Sequence, residues 1–342
     1  MWGLVLSGGG GKGAYEAGVL RALAETGFME KIGAVSGSSV GGLNAALAGM
    51  ENVELTKKCW MNVTPGQLLS PDENSPDAAA QVRPGGGFFE NSRRQLLAEG
   101  LFSKEGLQDM ILRYLDFSVI ASCRFRIFVS LTCAGQSIES VPMPPAPLQN
   151  SLEREAVSTC GIGGFCVDFT RLCAVSPAEA AAVLLATSAM PYVYDPVQIQ
   201  GHWYRDGGIA ENTPLSPMRA AGIRRVIIVR LSEKPDPLTI LQKQGFDEII
   251  DLHPSSYIGD FLDGTVSFVP ERIRFRDALG YRDTLRILQY REMEAKGYTP
   301  SREEKASREQ SDKESAKSAA RVEQMTSRME ERIRMLNSLL ED

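Results

Sequence analysis

Ser39 sits in Gly37-Ser38-Ser39-Val40-Gly41, a G-x-S-x-G spacing placed where a strand should turn into a helix. So tight a turn leaves little space beside the central serine, which accounts for glycine at Gly37 and Gly41. It would lift the Ser39 hydroxyl out at the carboxyl end of a sheet and aim the next helix N-terminus at it. That is where a nucleophile belongs. A second cluster, Gly8-Gly9-Gly10-Gly11-Lys12-Gly13, also falls between a strand and a helix. As a Walker loop it fails at both ends, because Gly13 follows Lys12 and Leu6 stands where the first glycine is required. Gly8, Gly10 and Gly13 do match the dinucleotide spacing G-x-G-x-x-G. The second strand, however, ends in Ser36-Gly37-Ser38-Ser39, with no acidic residue for a ribose. The strongest reading is an oxyanion hole: exposed amides of Gly8, Gly9, Gly10 and Gly11 facing a developing alkoxide, with no side chain to block approach. A nucleophile beside such amides is what acyl transfer needs.

The serine then needs a base. The chain has two histidines, His202 and His253. His253 precedes Pro254 in an expected loop, and nothing in the sequence brings it to Ser39. Asp206-Gly207-Gly208 is more suggestive, since an aspartate at a strand end followed by two glycines can present its carboxylate into a cleft. A Ser39–Asp206 dyad is therefore favoured over a histidine triad. An ordinary turn-capping aspartate is the alternative.

These residues must be positioned by a sheet. Residues 2–6 form a short apolar run, and a helical pattern with Tyr15, Val19, Leu20 and Leu23 on one side follows the first glycine turn. Ile32 to Val35 reads as a second strand and Leu43 to Ala48 as a helix of small residues. Strand, glycine turn, helix, repeated, is the pattern of a parallel sheet with right-handed crossovers. Arg126–Leu131 and Arg225–Leu231 read as further strands and Pro177–Thr187 as a helix. The two glycine turns would then lie side by side at one sheet edge. From about 60 to 120 the pattern breaks into a loop-rich insertion with Pro65, Pro71, Pro76 and Pro84, followed by an amphipathic helix near 104–115. It is either a substrate-facing wall or lid, or a packing excursion.

Composition narrows the class. The 342 residues are 43% hydrophobic and 23% charged, ordinary for a globular protein. A net charge of −6 without a basic stripe argues against a nucleic-acid partner. The six cysteines (59, 123, 133, 160, 166, 173) include no C-x-x-C, so no metal site is expected and reduced thiols are the simpler reading. There is no apolar run of membrane-spanning length and no signal-peptide pattern at the N-terminus. Cytoplasmic residence with transient membrane contact is the expectation, secretion without a cleavable signal staying open.

Taken together and in order, the glycine loop, the Ser39 turn and Asp206-Gly207-Gly208 resemble the patatin-like phospholipases, whose pattern is G-G-G-x-[R/K]-G, G-x-S-x-G and D-G-[G/A]. The likeness extends to Gly18-Val19-Leu20, to Ala186-Thr187-Ser188-Ala189-Met190-Pro191, and to Asn212 and Pro214. It implies an α/β, three-layer patatin-like fold: a mainly parallel central sheet flanked by helices, here with a C-terminal helical tail. The catalytic domain would span 1–295 and the tail 296–342. The activity implied is that of a lipid acyl hydrolase using Ser39 and Asp206, with Gly8–Gly11 as oxyanion donors and no metal or cofactor. Gly13, Gly37, Gly41, Gly207 and Gly208 would shape the site, and Lys12 would support the loop, meet a lipid phosphate or stand in solvent. Phospholipid or lysophospholipid would be the substrate. A nucleotide- or NAD-binding protein and a non-enzymatic scaffold are the rival classes.

The tail differs from the rest. Residues 301–342 carry nine basic and ten acidic residues and neither glycine nor proline. Val322, Met325, Met329, Ile333, Leu336 and Leu339 recur at spacings of three and four, giving one apolar stripe on a helix. Docking on the body, self-association, or contact with a membrane or protein activator would each use such a stripe.

Overall fold

A computed structural model describes residues 1–70, 100–135, 159–160 and 166–297 of the chain. The proline- and glycine-rich part of the insertion (71–99), the side chains of Cys160 and Cys166 and the apolar stripe of the tail lie outside the described residues.

The first strand, β1 (Trp2–Leu6), is followed by the glycine loop and α1 (Ala14–Glu25). Then come β2 (Ile32–Ser38), α2 (Val40–Gly49) and α3 (Val53–Met61). Strand β1 lies parallel to β2, and β2 parallel to β3 (Arg126–Gly135). On its other edge β1 pairs with β8 (Arg225–Val229), which pairs with β9 (Glu248–Leu252), both parallel. These five strands are the parallel part of the sheet, with β9 at its edge, and both faces are covered. Leu4, Leu6 and Val35 point into one apolar core, Val5 and Ala34 into another, as the alternation of a strand buried on both faces requires.

Two boundaries differ from the sequence reading. Strand β2 does not stop at Val35, because Ser36, Gly37 and Ser38 keep pairing, Gly37 with Leu6 and Ser38 with Ser130. Helix α2 starts at Val40, so strand and helix are separated by Ser39 alone. The expected helices at 104–115 and 177–187 are α4 (Glu105–Tyr114) and α6 (Pro177–Thr187), with α5 (Phe117–Ser122) between them.

Beyond β3 the sheet continues in the antiparallel sense, which hydrophobic periodicity did not announce. Strand β5 (Cys166–Arg171) pairs with Phe128–Thr132 of β3 and also with the two-residue β4 (Thr159–Cys160). A hairpin of β6 (Val197–Ile199) and β7 (His202–Asp206) joins β3 through β7, which pairs with residues 131–135. Strands β5 and β7 overlap at Leu131 and Thr132, so they occupy opposite edges of β3. Strand β2 overlaps β5 in the same way and is therefore on the β7 edge. Along that edge Ser38 faces Ser130 and Asp206 faces Leu131, the next residue. Register on β3 thus brings the end of β2 to the end of β7.

The last described helix, α7 (Pro270–Ala295), packs along α1. Tyr15 donates to Asp283 at 3.1 Å, and Arg21 pairs with Asp277 at 2.7 Å.

Candidate active site

Ser39 has φ 53° and ψ −128°, a conformation that L-residues rarely adopt. The turn is held by close approach of backbone: a Cβ on Gly37 would lie 2.0 Å from Gly41 O, and one on Gly41 would lie 2.3 Å from Leu6 O. The Ser39 amide donates to Thr187 Oγ1 at 2.9 Å, and Thr187 Oγ1 donates to Ser130 O at 2.7 Å. Strain of this sort persists only where the surroundings over-determine it. Although Ser39 precedes α2, its hydroxyl makes no cap to that helix. It donates to Asp206 Oδ2 at 2.7 Å instead.

Asp206 is the last residue of β7 and is 5% exposed. Its other oxygen, Oδ1, accepts the Gly208 amide at 2.8 Å. Its backbone is fixed as well, with Thr132 Oγ1 donating to Asp206 O at 2.7 Å and Asp206 N donating to Ala189 O at 3.1 Å. Burial is the dominant influence on the carboxyl and raises its pKa to about 7, against the opposing pull of the Ser39 and Gly208 hydrogen bonds. A carboxylate poised near neutrality is suited to take a proton from a hydroxyl. The segment Thr187–Ala189 therefore braces both partners, since Gly207 N also donates to Thr187 O at 3.1 Å.

The glycine loop runs beside them, and Gly8 packs against Ser39, where an added Cβ would come 3.0 Å from Ser39 Cβ. The four glycines are not equivalent. The Gly8 amide is already given to Asn212 O at 3.2 Å, and Asn212 Nδ2 donates back to Gly8 O at 3.4 Å. The amides of Gly9 and Gly10 make no hydrogen bond among the described residues, and both glycines line the cleft. Gly10 has φ +54°, and a Cβ there would lie 2.1 Å from Thr265 O. Gly11 is buried under Ser267 O. Lys12 lines the same cleft; desolvation lowers its pKa first and Arg276 further, while Asp260 and Asp263 oppose the shift.

Ser39 and Asp206 lie where two cavities meet. One is a cleft of about 500 Å³ reached by Lys12, Asn212 and Arg230. The other is narrow, about 100 Å³, with Leu43, Trp60, Leu107, Met110, Val193 and Phe268 among its apolar walls. Trp60, Val63, Leu107 and Met110 come from the described parts of the 60–120 insertion, and those parts wall the narrow pocket. Neither histidine lines these cavities. His202 opens β7, and His253 lies after β9 with Nδ1 3.4 Å from Pro254 O.

Sequence reasoning missed the support behind the turns. Glu16 is fully buried, and Asn44 Nδ2 donates to its Oε2 at 2.8 Å and to Gly13 O at 3.0 Å. Trp60 Nε1 donates to Asn44 Oδ1 at 2.9 Å. Asn44 thus links the end of the glycine loop, the Ser39 helix and the apolar wall. Burial holds the Glu16 carboxyl well above the ordinary carboxylate range. A buried acid in α1 and an amide in α2 were the available signals, but nothing in their spacing paired them.

The chain belongs to the patatin-like phospholipase family, whose model matches residues 4–219. Among solved structures it is similar to VipD from Legionella pneumophila, at 15% identity and a TM-score of 0.48. That match covers 84% of this chain and 66% of VipD, so the chain spans just under two thirds of VipD's length. No curated protein matches it. Among the described residues, no helix is long and apolar enough to cross a membrane.

Proposed function

We propose that the protein is a lipid acyl hydrolase acting through Ser39 and Asp206 on phospholipid or lysophospholipid esters. The observation that carries this reading is the 2.7 Å hydrogen bond from Ser39 Oγ to a buried carboxylate, at the junction of an open cleft and an apolar pocket. Asp206 takes the hydroxyl proton as Ser39 Oγ bonds to the ester carbonyl carbon. The carbonyl oxygen becomes an alkoxide facing the Gly9 and Gly10 amides, which are uncommitted where the Gly8 amide is not. Collapse breaks the ester C–O bond, the alcohol leaves with the proton from Asp206, and the acyl group stays on Ser39. Water, losing a proton to Asp206, then releases the fatty acid. The narrow pocket suits the acyl chain, and the cleft suits the glycerol and headgroup, with Lys12 at its edge.

A fluorophosphonate ester probe tests this directly. The wild type should be labelled, and Ser39→Ala and Asp206→Asn should not. Equal labelling of Ser39→Ala would place the reactive group elsewhere. If no form is labelled, the trial is repeated with phospholipid vesicles; silence there too would reject the hydrolase reading.

A further inference from the structure

Three large aliphatic side chains stand in water beside the cleft that holds Ser39. Ile240 is 88% exposed, Leu241 75% and Leu262 76%. The first two lie in a one-turn helix, Ile240–Lys243, and the third in a π-turn, Phe261–Thr265. The neighbours of these residues wall the cleft: Thr239 and Gln242 from the first element, Phe261 and Thr265 from the second. The exposed side chains therefore belong to the rim of the cleft. Single exposed aliphatics are ordinary, whereas a group of them around a cleft marks a contact surface.

Both elements are built turns. Thr239 Oγ1 accepts the Gln242 amide at 3.1 Å, and Gln242 Oε1 accepts the Thr239 amide at 2.9 Å. Asp260 Oδ1 accepts the Leu262 amide at 3.0 Å, and Asp263 Oδ1 accepts the Asp260 amide at 2.7 Å. Arg276, itself 1% exposed, ties down the second turn from beneath by donating to Asp263 O at 2.8 Å and Ser267 O at 2.9 Å. The Asp263 carboxylate pairs with Arg272 at 3.2 Å. The rim carries charges of both signs, Lys234, Lys243 and Asp236 near the first turn and Asp260 beside the second, so what it offers a surface is its aliphatic side chains.

We propose that these two turns form a lipid-docking rim. Ile240, Leu241 and Leu262 enter the boundary between headgroups and acyl chains of a phospholipid bilayer, setting the mouth of the cleft on the surface. A lipid ester then reaches Ser39 without crossing water, and this consequence rests on the hydrolase reading above. A protein seated on both turns would stand over the cleft mouth and shut Ser39 away, whereas a bilayer delivers what the cleft is built to take. Contact of this kind, by aliphatic side chains at the mouth of a cleft, is interfacial.

The test uses the full chain carrying Ser39→Ala, so that vesicles survive. Binding to vesicles of mixed phosphatidylcholine and phosphatidylglycerol is measured by sedimentation, with and without Ile240→Asn, Leu241→Asn and Leu262→Asn together. The triple substitution should weaken binding at least about tenfold, since each aliphatic buried in lipid contributes strongly. In the chain with Ser39 intact, it should cut vesicle phospholipid hydrolysis by a similar factor. Turnover of a soluble short-chain ester should stay within about twofold, none of the three residues lining the cleft. Unchanged vesicle binding overturns the proposal, as does failure of the Ser39→Ala parent to bind. A shift from dimer to monomer with the triple substitution overturns it too, by making the patch a self-contact. Absent turnover of the soluble ester by the wild type counts against the Ser39 chemistry alone, because the binding comparison needs none.

Discussion

Asp206 receives the Ser39 hydroxyl at 2.7 Å from a position 5% open to water, although the two residues stand 167 positions apart in the chain. What brings them together is one strand. On β3, Ser130 pairs with Ser38 and the next residue, Leu131, pairs with Asp206. The hydroxyl and the carboxylate are thus placed by sheet register, and the burial that follows is what lifts the carboxyl.

The first expected outcome is a pH profile. With the Asp206 carboxyl raised to about 7 and acting as base, kcat/KM on a soluble ester should fall as pH drops through that value. Asp206→Asn should lose at least about a thousandfold, the scale of a lost catalytic base. His202→Ala should keep its rate within about twofold and leave the profile unmoved.

Stability should change in the opposite sense. An unfolded Asp206 ionises near pH 4 whereas the folded one holds its proton to about 7, so its contribution is full below the lower value and is lost as pH rises to the upper one. Asp206→Asn should therefore gain on the wild type in urea unfolding at pH 8 relative to pH 5. An advantage that is the same at both pH values would contradict the raised carboxyl.

Ser39 bears backbone strain that glycine would not. At φ 53° and ψ −128°, Ser39→Gly should stabilise the fold by about 1 kcal/mol relative to Ser39→Ala, while both abolish ester hydrolysis. Denaturant midpoints of the two variants decide it.

Glu16 and Asn44 should separate charge from shape. Since burial raises the Glu16 carboxyl well above its ordinary range, Glu16→Gln should fold and turn over close to wild type. Asn44→Ala strands a buried Trp60 Nε1 and should cost about 2 kcal/mol, with kcat reduced more than KM rises. Thermal melts and steady-state kinetics check both.

The thiols make a further, separate prediction. Cys123 Sγ and Cys173 Sγ lie 3.4 Å and 3.3 Å from the same acceptor, Phe125 O. Hydrogen bonding between the two lowers the Cys173 pKa and raises that of Cys123, while burial pushes Cys59 up to about 12. Iodoacetamide at pH 7 should alkylate Cys173 before either Cys123 or the buried Cys59, as peptide mass spectrometry would read.

Much of this site was legible in the sequence because its steric demands are extreme. Glycine at Gly37, Gly41 and Gly10 answers to approaches that any Cβ would block, and such positions announce themselves. Asp206 was legible from the two glycines after it. The antiparallel edge of the sheet was not, because β4 and β6 are only two and three residues long and β3 pairs on both sides without any change in its apolar pattern. Nor was the bracing by Thr187, legible only as part of a longer likeness, or by Thr132: a threonine that braces a backbone looks, in sequence, like any threonine. The distinction between the Gly8 amide and its neighbours depends on Asn212, far along the chain, and no local spacing reveals it.

Gly10 and Gly11 rest on the carbonyls of Thr265 and Ser267, beyond the end of the family match at residue 219. During synthesis, a chain that has emerged as far as Arg230 already carries Ser39, Asp206 and all six residues of the glycine loop. It does not yet carry the segment against which that loop is set, nor Arg276, which fastens that segment. The order of translation therefore leaves the glycine loop without its seat until residues 263–276 have been made, so the geometry around Ser39 is completed by a part of the chain synthesised well after both Ser39 and Asp206.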